Sequence, residues 1–456
     1  MGFPDGFVWG VAASAYQIEG AAREDGRADS VWDVFCRKPG AVWSGQSGEA
    51  ACDHYHRYRE DVGIIRDIGA RAYRLSVSWP RILPQGRGQP NSAGLDFYDR
   101  LTDSLLAAGI APWVTLFHWD YPQALFQRGG WLNRRSADWF AEYADAVVDR
   151  LSDRVTNWMT INEPQVFLKF GHADGINAPG LTLSLAEQLQ AAHHVLLAHG
   201  RAVQAIRART RSPARVGWAP VCVVKYPTTG EPRDIEAARR ATCGVTTRDL
   251  WNNTWFNDPV FKGEYPREGL EAFAGAVPDF PSDDFATIRQ PMDFLGINIY
   301  EGQPVRADAQ GRAAAMDRPI GHPLTAFRWP VEPQSLYWGP RFMHERYGSP
   351  IYITENGLSN VDWVSLDGKV HDPQRIDFTR RYLLALRRAC DDGTDIRGYF
   401  HWSLLDNFEW SAGFKERFGL VHVDYATQKR TPKDSARWYR GVIESNGAAL
   451  DLDPFA

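Results

Sequence analysis

The stretch AYRLSVSWPRILPQGRGQPNSAGLDFYDRLTDSLLAAGIAPWVTLFH, residues 72–118, contains the unit from which the fold can be predicted. It begins with a short apolar run (72–79), continues with a segment of helical periodicity (93–108), and ends with a second apolar run (112–118). Short apolar runs are typical of buried strands, and a period of about 3.6 residues is typical of an amphipathic helix. Gly109 stands where such a helix is expected to end. The stretch therefore predicts a strand, a helix and a second strand.

The same alternation extends in both directions over the whole chain. Eight runs predict strands, at residues 7–13, 72–79, 112–118, 157–162, 215–221, 292–299, 350–354 and 396–402. Amphipathic segments predict helices at residues 55–68, 93–108, 137–151, 185–208, 333–347, 373–389 and 433–443. Strands that alternate with helices pair in parallel, and eight such units form a closed barrel. We therefore predict an α/β fold, a single (β/α)8 TIM barrel in one domain of residues 1–456.

Long Pro- and Gly-rich segments follow several of the predicted strands. They span residues 38–48, 85–94 and 302–333, and we expect them to be irregular loops around the active site. The alternative fold is an open doubly wound sheet. That fold predicts a glycine-rich phosphate-binding loop after an early strand, and neither G-x-G-x-x-G nor G-x-x-x-x-G-K-[ST] occurs in the sequence.

The composition excludes several classes of function. The chain has 51 Lys and Arg against 56 Asp and Glu, a net charge of −5, which argues against a nucleic-acid-binding protein. Five scattered cysteines without a C-x-x-C pattern predict neither a disulfide framework nor a zinc site. The 18 Trp residues are an unusually large number. They indicate either a large core or flat surfaces for an apolar ligand such as the C–H face of a sugar.

Neither a targeting signal nor a membrane span is predicted. The first basic residue is Arg23, whereas a signal peptide begins with positive charge. The longest uncharged stretch, residues 104–119, is too short to cross a bilayer. We therefore expect a cytoplasmic protein whose partners are small molecules, with no nucleic acid and no membrane.

Two glutamates follow predicted strands, where the active sites of TIM barrels lie. Glu163 follows the fourth strand and Glu355 the seventh. Glycoside cleavage needs one carboxyl to protonate the leaving oxygen, and a second to attack the anomeric carbon or to activate water. Each glutamate also has a structural explanation, because Pro164 favours a helix start and Asn356-Gly357 favours a turn. Their joint occurrence at strand ends favours catalysis.

Other polar residues are open to two interpretations. Arg74 lies within a strand and needs an acidic partner, either in an ordinary buried ion pair or as a cation that holds Glu355 ionised. His118 is either a core histidine or a hydrogen-bond donor to a sugar hydroxyl. His193 and His194 are adjacent on a helix without nearby cysteines, so we predict no metal and no cofactor.

Six stretches carry a resemblance to a known family. They are FVWGVAASAYQIEG (7–20), YRLSVSWPR (73–81), FHWD (117–120), TINEP (160–164), ITENG (353–357) and WSLLDNFEW (402–410). With all six in order, the chain resembles glycoside hydrolase family 1, the retaining β-glucosidases, from end to end. The resemblance implies a catalytic TIM barrel that hydrolyses terminal non-reducing β-D-glucosyl residues. The implied substrates are aryl-β-glucosides, cellobiose and related short β-linked oligosaccharides, and the implied route is double displacement through a covalent glycosyl-enzyme.

The resemblance also implies individual roles. Glu163 is similar to the family's general acid/base and Glu355 to its nucleophile, with Arg74 supporting the nucleophile. The implied substrate-binding residues are Gln17, His118, Trp119, Asn162, Asn298, Tyr300, Trp329, Trp402, Glu409 and Trp410. Of these, Trp402 resembles the floor under the sugar, Asn298 and Tyr300 the pair that orders the carboxylates, and Trp329 the platform at the entrance. On physical grounds we expect a raised pKa for Glu163, because a second carboxylate lies nearby.

The substrate-binding positions also indicate which sugars the enzyme accepts. A carboxylate at Glu409 accepts hydrogen bonds from hydroxyls but repels phosphate, so the chain resembles the branch that acts on unphosphorylated sugars. Tyr121, His172 and Arg328 depart from the family's commonest pattern, and we expect them to lie toward the outer pocket. They leave the preferred aglycone open.

Several alternatives remain at this point. The enzyme could have broader specificity, including galactosides and fucosides, or could act as a transglycosylase through the same intermediate. A catalytically inactive binding protein would lack one of the two glutamates, and both are present. A metal-dependent barrel enzyme would need a His/Asp/Glu cluster at strand ends. A part in cellulose degradation is expected, while oligomeric state is left open.

Overall fold

The computed structural model describes residues 2–454 and contains a parallel eight-stranded sheet. Its strands, in chain order, are β1 Val8–Ala12, β2 Ala72–Ser76, β3 Ala111–Phe117, β4 Asn157–Asn162, β5 Arg215–Ala219, β6 Leu295–Asn298, β7 Ile351–Asn356 and β8 Ile396–Trp402. The spatial order is β5-β4-β3-β2-β1-β8-β7-β6. Each strand therefore lies beside its neighbours in the chain, and β1 lies beside β8. All eight predicted strands are confirmed, with ends within about three residues.

The sheet curves into a nearly closed barrel. Its two outermost strands, β5 and β6, meet through backbone hydrogen bonds next to their regular segments. The Asp293 amide donates to the Val216 carbonyl at 2.9 Å, and the Asn298 amide donates to the Pro220 carbonyl at 3.0 Å. Closure brings the carboxyl ends of all eight strands to one rim, which is where TIM barrels carry their active sites.

Helices surround the barrel. The longer ones are His54–Asp67, Ser92–Ala107, Ser136–Leu151, Leu185–Arg209, Pro232–Cys243, Thr254–Phe261, Ser335–Tyr347, Pro373–Asp391 and Asp434–Glu444. Shorter ones are Ala15–Ile18, Val31–Cys36, Trp79–Ile82, Gln123–Phe126, Pro164–Leu168, Arg267–Ala272 and Asp284–Ile288. All seven predicted helices are confirmed. Among residues 2–454, no helix combines the length and apolar character that crossing a membrane would require.

Large side chains fill the interior of the barrel. Trp113, Met159, Phe294, Tyr352 and Phe400 belong to one buried cluster inside the ring of strands. The Phe400 and Phe294 rings need space, and glycines on the facing strands provide it. A Cβ at Gly10 would lie 2.4 Å from the Phe400 ring, and one at Gly217 would lie 2.3 Å from Phe294. The two glycines therefore let these rings close the lower part of the barrel beneath the site.

The segment after β6 differs from its prediction. We expected an irregular loop at 302–333, but it contains strands Gly302–Ala307 and Ala313–Ala315, which form a small sheet with Val224–Pro227. Strand 224–227 pairs with strand 302–307, which lies far along the chain, and local sequence patterns do not predict such long-range pairing. The four helices between β5 and β6 were also not predicted. The small sheet stands above the rim and forms part of the site's wall.

Candidate active site

A cavity of about 520 Å³ opens at the carboxyl ends of the strands. The predicted site residues on its wall are His118, Trp119, Glu163, Tyr300, Trp329, Glu355, Trp402, Glu409 and Trp410. They come from the ends of five strands, β3, β4, β6, β7 and β8, or from the loops that follow them. Glu163, Glu355 and Glu409 therefore bring three carboxyl groups to one concave site. Glycoside hydrolysis needs at least two.

The backbone at Glu163 is held in a rare conformation. Glu163 has φ of 45° and caps the helix Pro164–Leu168, whose first residue is a proline. Its amide donates to the Ala219 carbonyl at 2.8 Å, which ties the end of β4 to β5. Trp119 and Trp410, also on the cavity wall, likewise have positive φ. Non-glycine residues adopt this region at a cost, and such strain concentrates at functional sites.

Glu355 is held from both sides of its carboxyl group. One oxygen accepts from the Arg74 guanidinium at 2.5 Å, and the other accepts from the Tyr300 hydroxyl at 2.8 Å. Glu355 pairs with Asn298 of β6 after a shift in register between Ile353 and Glu355. Such irregularities re-aim side chains at the end of a strand. The predicted pairing of Arg74 with Glu355 is thus present in the structure.

A buried amide network connects the two glutamate-bearing strands. The Asn162 side-chain oxygen accepts from Arg74 at 2.5 Å and from the Asn298 amide at 3.0 Å. The Asn298 oxygen in turn accepts from the Thr354 hydroxyl at 2.6 Å. Each amide is fixed at both ends, so these side chains act as spacers that set the positions of Glu163 and Glu355.

The two glutamates have different electrostatic surroundings. Burial, and then the charge of Glu355, raise the pKa of Glu163 to about 8. Burial also raises the pKa of Glu355, while Arg74 and Tyr300 oppose the rise. We expected Arg74 to hold Glu355 ionised; the structure adds a desolvation cost that Arg74 and Tyr300 offset in part. Within residues 2–454, Arg74 contacts Glu355 and no cation contacts Glu163, so the negative charge resides on Glu355 and the proton on Glu163.

His118 is neutral and has one ring nitrogen available to a ligand. Burial, and then Arg74, hold its pKa well below the usual range. Its Nε2 faces the Asn162 side-chain amide nitrogen at 3.1 Å. Because that amide donates, Nε2 accepts and the ring proton lies on Nδ1. A neutral histidine of this kind can donate to a sugar hydroxyl, which is one of the two interpretations that the sequence leaves open.

Glu409 lies beside Gln17 at the inner end of the cavity. The Gln17 amide nitrogen donates to the Phe408 carbonyl at 2.8 Å and approaches a Glu409 oxygen at 3.4 Å. Burial, followed by the charges of Glu355 and Glu416, raises the pKa of Glu409 well above its usual range. A carboxyl group so desolvated is poised to accept hydrogen bonds from hydroxyls, which compensate for the lost water.

The loop that carries Glu409 and Trp410 is anchored by buried charges that sequence analysis missed. Asp406 accepts from the Lys433 ammonium at 2.7 Å, from Arg417 at 2.7 Å and from the Gly419 amide at 2.9 Å. Lys433 also contacts Asp362 at 2.6 Å. Asp406 lies within the family stretch 402–410, but its partners lie in elements outside that motif, so no local signal identified them.

Aromatic rings form much of the wall. The Trp329 ring stacks on Phe327 at 4.7 Å and lies 5.2 Å from the Tyr300 ring. Trp119 and Trp410 are 4.5 Å apart. Phe418, which sequence analysis did not select, also lines the cavity and contacts Trp329. Flat apolar faces of this kind suit the C–H faces of a sugar ring.

Four predicted residues lie behind the cavity wall: Gln17, Arg74, Asn162 and Asn298 contact the lining residues and do not line the cavity themselves. The three residues that depart from the family pattern do not line it either, which corrects our expectation. Tyr121 is buried against Trp131 and His172 against Phe167, and Arg328 is exposed. Their side chains therefore do not explain which aglycone is preferred.

Within the described chain, no group of three or more His, Cys, Asp or Glu side chains is arranged to hold a metal ion. His193, considered above as a metal ligand, contacts Tyr265 and Asp284, both at 2.9 Å. The cavity brings together carboxyl groups, which can perform acid/base and nucleophilic chemistry.

The chain is similar to known proteins over nearly its whole length. A family model described as "Glycosyl hydrolase family 1" matches residues 1–448. Beta-glucosidase A of Thermotoga maritima is 44% identical over 448 residues, covering 98% of both chains. A 1,4-beta-D-glucan glucohydrolase of Thermotoga neapolitana is also 44% identical, over 98% of this chain and 99% of the relative.

Solved structures are similar over the same length. A beta-glucosidase from Thermotoga maritima in complex with glucoimidazole superposes with a TM-score of 0.90 at 43% identity, covering 98% of this chain and 99% of that one. The complex of a beta-glucosidase from the same organism with deoxynojirimycin gives a TM-score of 0.89 at 43% identity, with the same coverage. The similarity therefore extends over the whole barrel and its loops.

Proposed function

The chain belongs to glycosyl hydrolase family 1, and from this membership we propose that it is a β-glucosidase in which Glu163 and Glu355 perform a retaining double displacement. The reaction is hydrolysis of terminal non-reducing β-D-glucosyl residues, and two of the relatives, at 44% and 43% identity, are named beta-glucosidase A. The observation that carries the assignment of roles is the unequal surroundings of two glutamates in one cavity. Glu355 has the cation and Glu163 has the higher tendency to hold a proton.

In the first step Glu355 attacks the anomeric carbon from below the sugar while the bond to the aglycone breaks. Glu163 gives its proton to the departing oxygen. The guanidinium of Arg74 and the hydroxyl of Tyr300 hold the Glu355 carboxylate in one orientation before the attack, so the geometry is prepared in advance. A glucosyl ester of Glu355 results.

In the second step water replaces Glu355 at the same carbon. Esterification removes the negative charge of Glu355, so the pKa of Glu163 falls and Glu163 can take a proton from the attacking water. The tyrosine hydroxyl and Arg74 remain in place to stabilise the carboxylate as it leaves. Two inversions give a product with the same β configuration as the substrate.

The inner end of the cavity favours an unphosphorylated sugar. His118 and Glu409 offer a donor and an acceptor to neutral hydroxyls, and Trp402 offers a flat face. The negative charge of Glu355 and the acceptor oxygen that Glu409 presents would both disfavour a phosphate group, which brings negative charge and acceptors of its own. We propose that cellobiose is among the substrates, which would connect the enzyme to cellulose breakdown, and that it acts in the cytoplasm; fractionation of producing cells would test the location.

A trapping experiment tests the assignment. A 2-deoxy-2-fluoro-β-glucoside with an activated leaving group should inactivate the enzyme, because fluorine slows the second step more than the activated first step. Mass spectrometry of the digested protein should find the sugar on the peptide that contains Glu355. Glu60→Gln, an exposed change on an outer helix, should be labelled like the wild type. Labelling of another carboxylate, or release of α-glucose as first product from an ordinary substrate, would contradict the assignment.

A further inference from the structure

The cavity extends beyond the sugar-binding end, and much of its remaining wall is apolar. The side chains concerned follow β4 and β5, and they are Val166, Phe170, Ile176, Val221, Val223 and Trp251. The rings of Phe170 and Trp251 are 5.5 Å apart and tilted by 40°. Both are only partly buried, and Ile176 is 55% exposed. An apolar surface therefore faces the position that a leaving group must occupy.

Polar groups in the same part of the cavity are mostly engaged with the protein. The Gln303 amide nitrogen donates to the carbonyls of Pro304 and Met316, both at 3.2 Å. Arg318 pairs with Glu332 at 2.7 Å and donates to the Gly302 carbonyl at 2.7 Å. Their hydrogen-bonding capacity is thus largely used inside the protein.

Two charged side chains remain, Lys225 and Glu301, for which the described residues provide no side-chain hydrogen bond or ion pair. Both line the cavity, Lys225 on the strand 224–227 of the small sheet and Glu301 just before its strand 302–307. Burial lowers the pKa of Lys225. Asn177, whose buried side-chain oxygen has no partner among the described residues, and Ser411 also line the cavity. A second glucosyl unit would bring several hydroxyl groups against a wall that is mainly apolar, and every unpaired buried hydroxyl weakens binding.

We propose, on the premise that the protein is the β-glucosidase argued above, that this wall selects apolar aglycones over a second sugar. The favoured substrates are β-glucosides of aromatic and alkyl alcohols. Phe170, Val221 and Trp251 are the specificity-determining residues, because they provide the surface that covers such a leaving group. Apolar contact gains free energy in proportion to the area removed from water and needs no hydrogen-bond partner.

A series of substrates with equally poor leaving groups tests the proposal. Methyl, propyl, pentyl and 2-phenylethyl β-glucosides and cellobiose all release alcohols that need the same help from the acid. Differences in kcat/KM therefore report binding of the leaving group. Full burial is worth about fourfold in kcat/KM per methylene, so pentyl over methyl glucoside should gain at least about tenfold even with partial burial. The 2-phenylethyl glucoside should exceed cellobiose.

Substitutions in the apolar wall test whether these residues cause the dependence of kcat/KM on the leaving group. Phe170→Ala and Trp251→Ala should flatten the alkyl series and reduce kcat/KM for the 2-phenylethyl glucoside, with little change for the methyl glucoside. Trp363→Ala is the matched control, since Trp363 is 67% exposed and lies outside the cavity; it should leave the series unchanged. Val221→Asn removes less volume and serves if an aromatic deletion fails to fold. It should lower the gain per methylene and raise kcat/KM for cellobiose.

The outcomes separate the two proposals. If the wild type fails to hydrolyse 4-nitrophenyl β-glucoside, the proposed function itself is wrong. If it hydrolyses that substrate but shows equal kcat/KM for methyl and pentyl glucosides, or prefers cellobiose to 2-phenylethyl glucoside, the selectivity inference is overturned. A series that Phe170→Ala, Trp251→Ala and Val221→Asn all leave as steep as in the wild type would also overturn it.

Discussion

The charge of Glu355 should control the proton affinity of Glu163. Glu163 is 6% exposed and its pKa is raised to about 8 by burial and by Glu355. Glu355→Gln removes the charge and preserves the shape of the side chain, so it isolates the electrostatic contribution. The same change in charge occurs in catalysis when the glucosyl ester forms.

The magnitude follows from the geometry that retention requires. For carboxyl groups about 5.5 Å apart and an effective dielectric constant of about 20, the repulsion is about 3 kcal/mol, which corresponds to a change of about 2 in the pKa of Glu163. We therefore expect the pKa of Glu163 to fall from about 8 to about 6 in Glu355→Gln. It stays above the usual value because burial is unchanged.

Carbon-13 NMR of protein labelled at glutamate carboxyl carbons measures this pKa directly. The trapped 2-fluoroglucosyl-enzyme should show a similar fall. Glu60→Gln, on an outer helix and with a half-exposed side chain, should leave the pKa of Glu163 unaffected. In the wild type, kcat/KM should decline as pH rises through about 8, because Glu163 loses the proton it must donate. It should also decline at acidic pH as Glu355 is protonated.

An unchanged pKa of Glu163 in both Glu355→Gln and the trapped enzyme would refute the reasoning. It would mean that burial alone raises the pKa, and that Glu163 has no electrostatic reason to change from acid to base between the two steps. A wild-type alkaline limb that persists when Glu163 is replaced would assign the limb to another group.

Three further changes have definite expected outcomes. Glu163→Ala should slow cellobiose hydrolysis by about 10²–10⁴-fold but scarcely slow glycosylation of the enzyme by a dinitrophenyl glucoside. Azide should restore turnover of the dinitrophenyl glucoside and yield β-glucosyl azide, and an α-azide product would exclude double displacement. Arg74→Met should lower kcat for every substrate, and Arg74→Lys should recover part of it, because the lost contact holds Glu355; equal rates for the two variants would show that the charge is unimportant. Lys433→Met should lower the free energy of unfolding in urea by about 3–5 kcal/mol and raise KM, because Asp406 anchors the loop of Glu409; an unchanged KM with lowered stability would limit Lys433 to a structural role.

The secondary structure and the chemistry could be predicted from local patterns. The predicted bounds of strands β4 and β8 agree with the structure, because every residue of β4 and every residue of β8 except Arg397 is buried. Glu163 and Glu355 were identified because short motifs mark strand ends. The small sheet of 224–227 with 302–307 was missed, because its pairing joins segments far apart in the chain.

The eight-unit alternation and the two glutamates were thus determined by the sequence itself, since periodicity and motif spacing are local properties. Only the tertiary structure decided which distant residues come into contact when the eight units close into a barrel. Arg74 meets Glu355 across 281 positions of the chain, and Asn162 receives Arg74 across 88. These contacts set the burial and the neighbouring charges, and burial and charge set the pKa of each carboxyl group. The apolar wall of Phe170 and Trp251 arises in the same way, because loops after β4 and β5 become neighbours only when the strands lie side by side in one barrel.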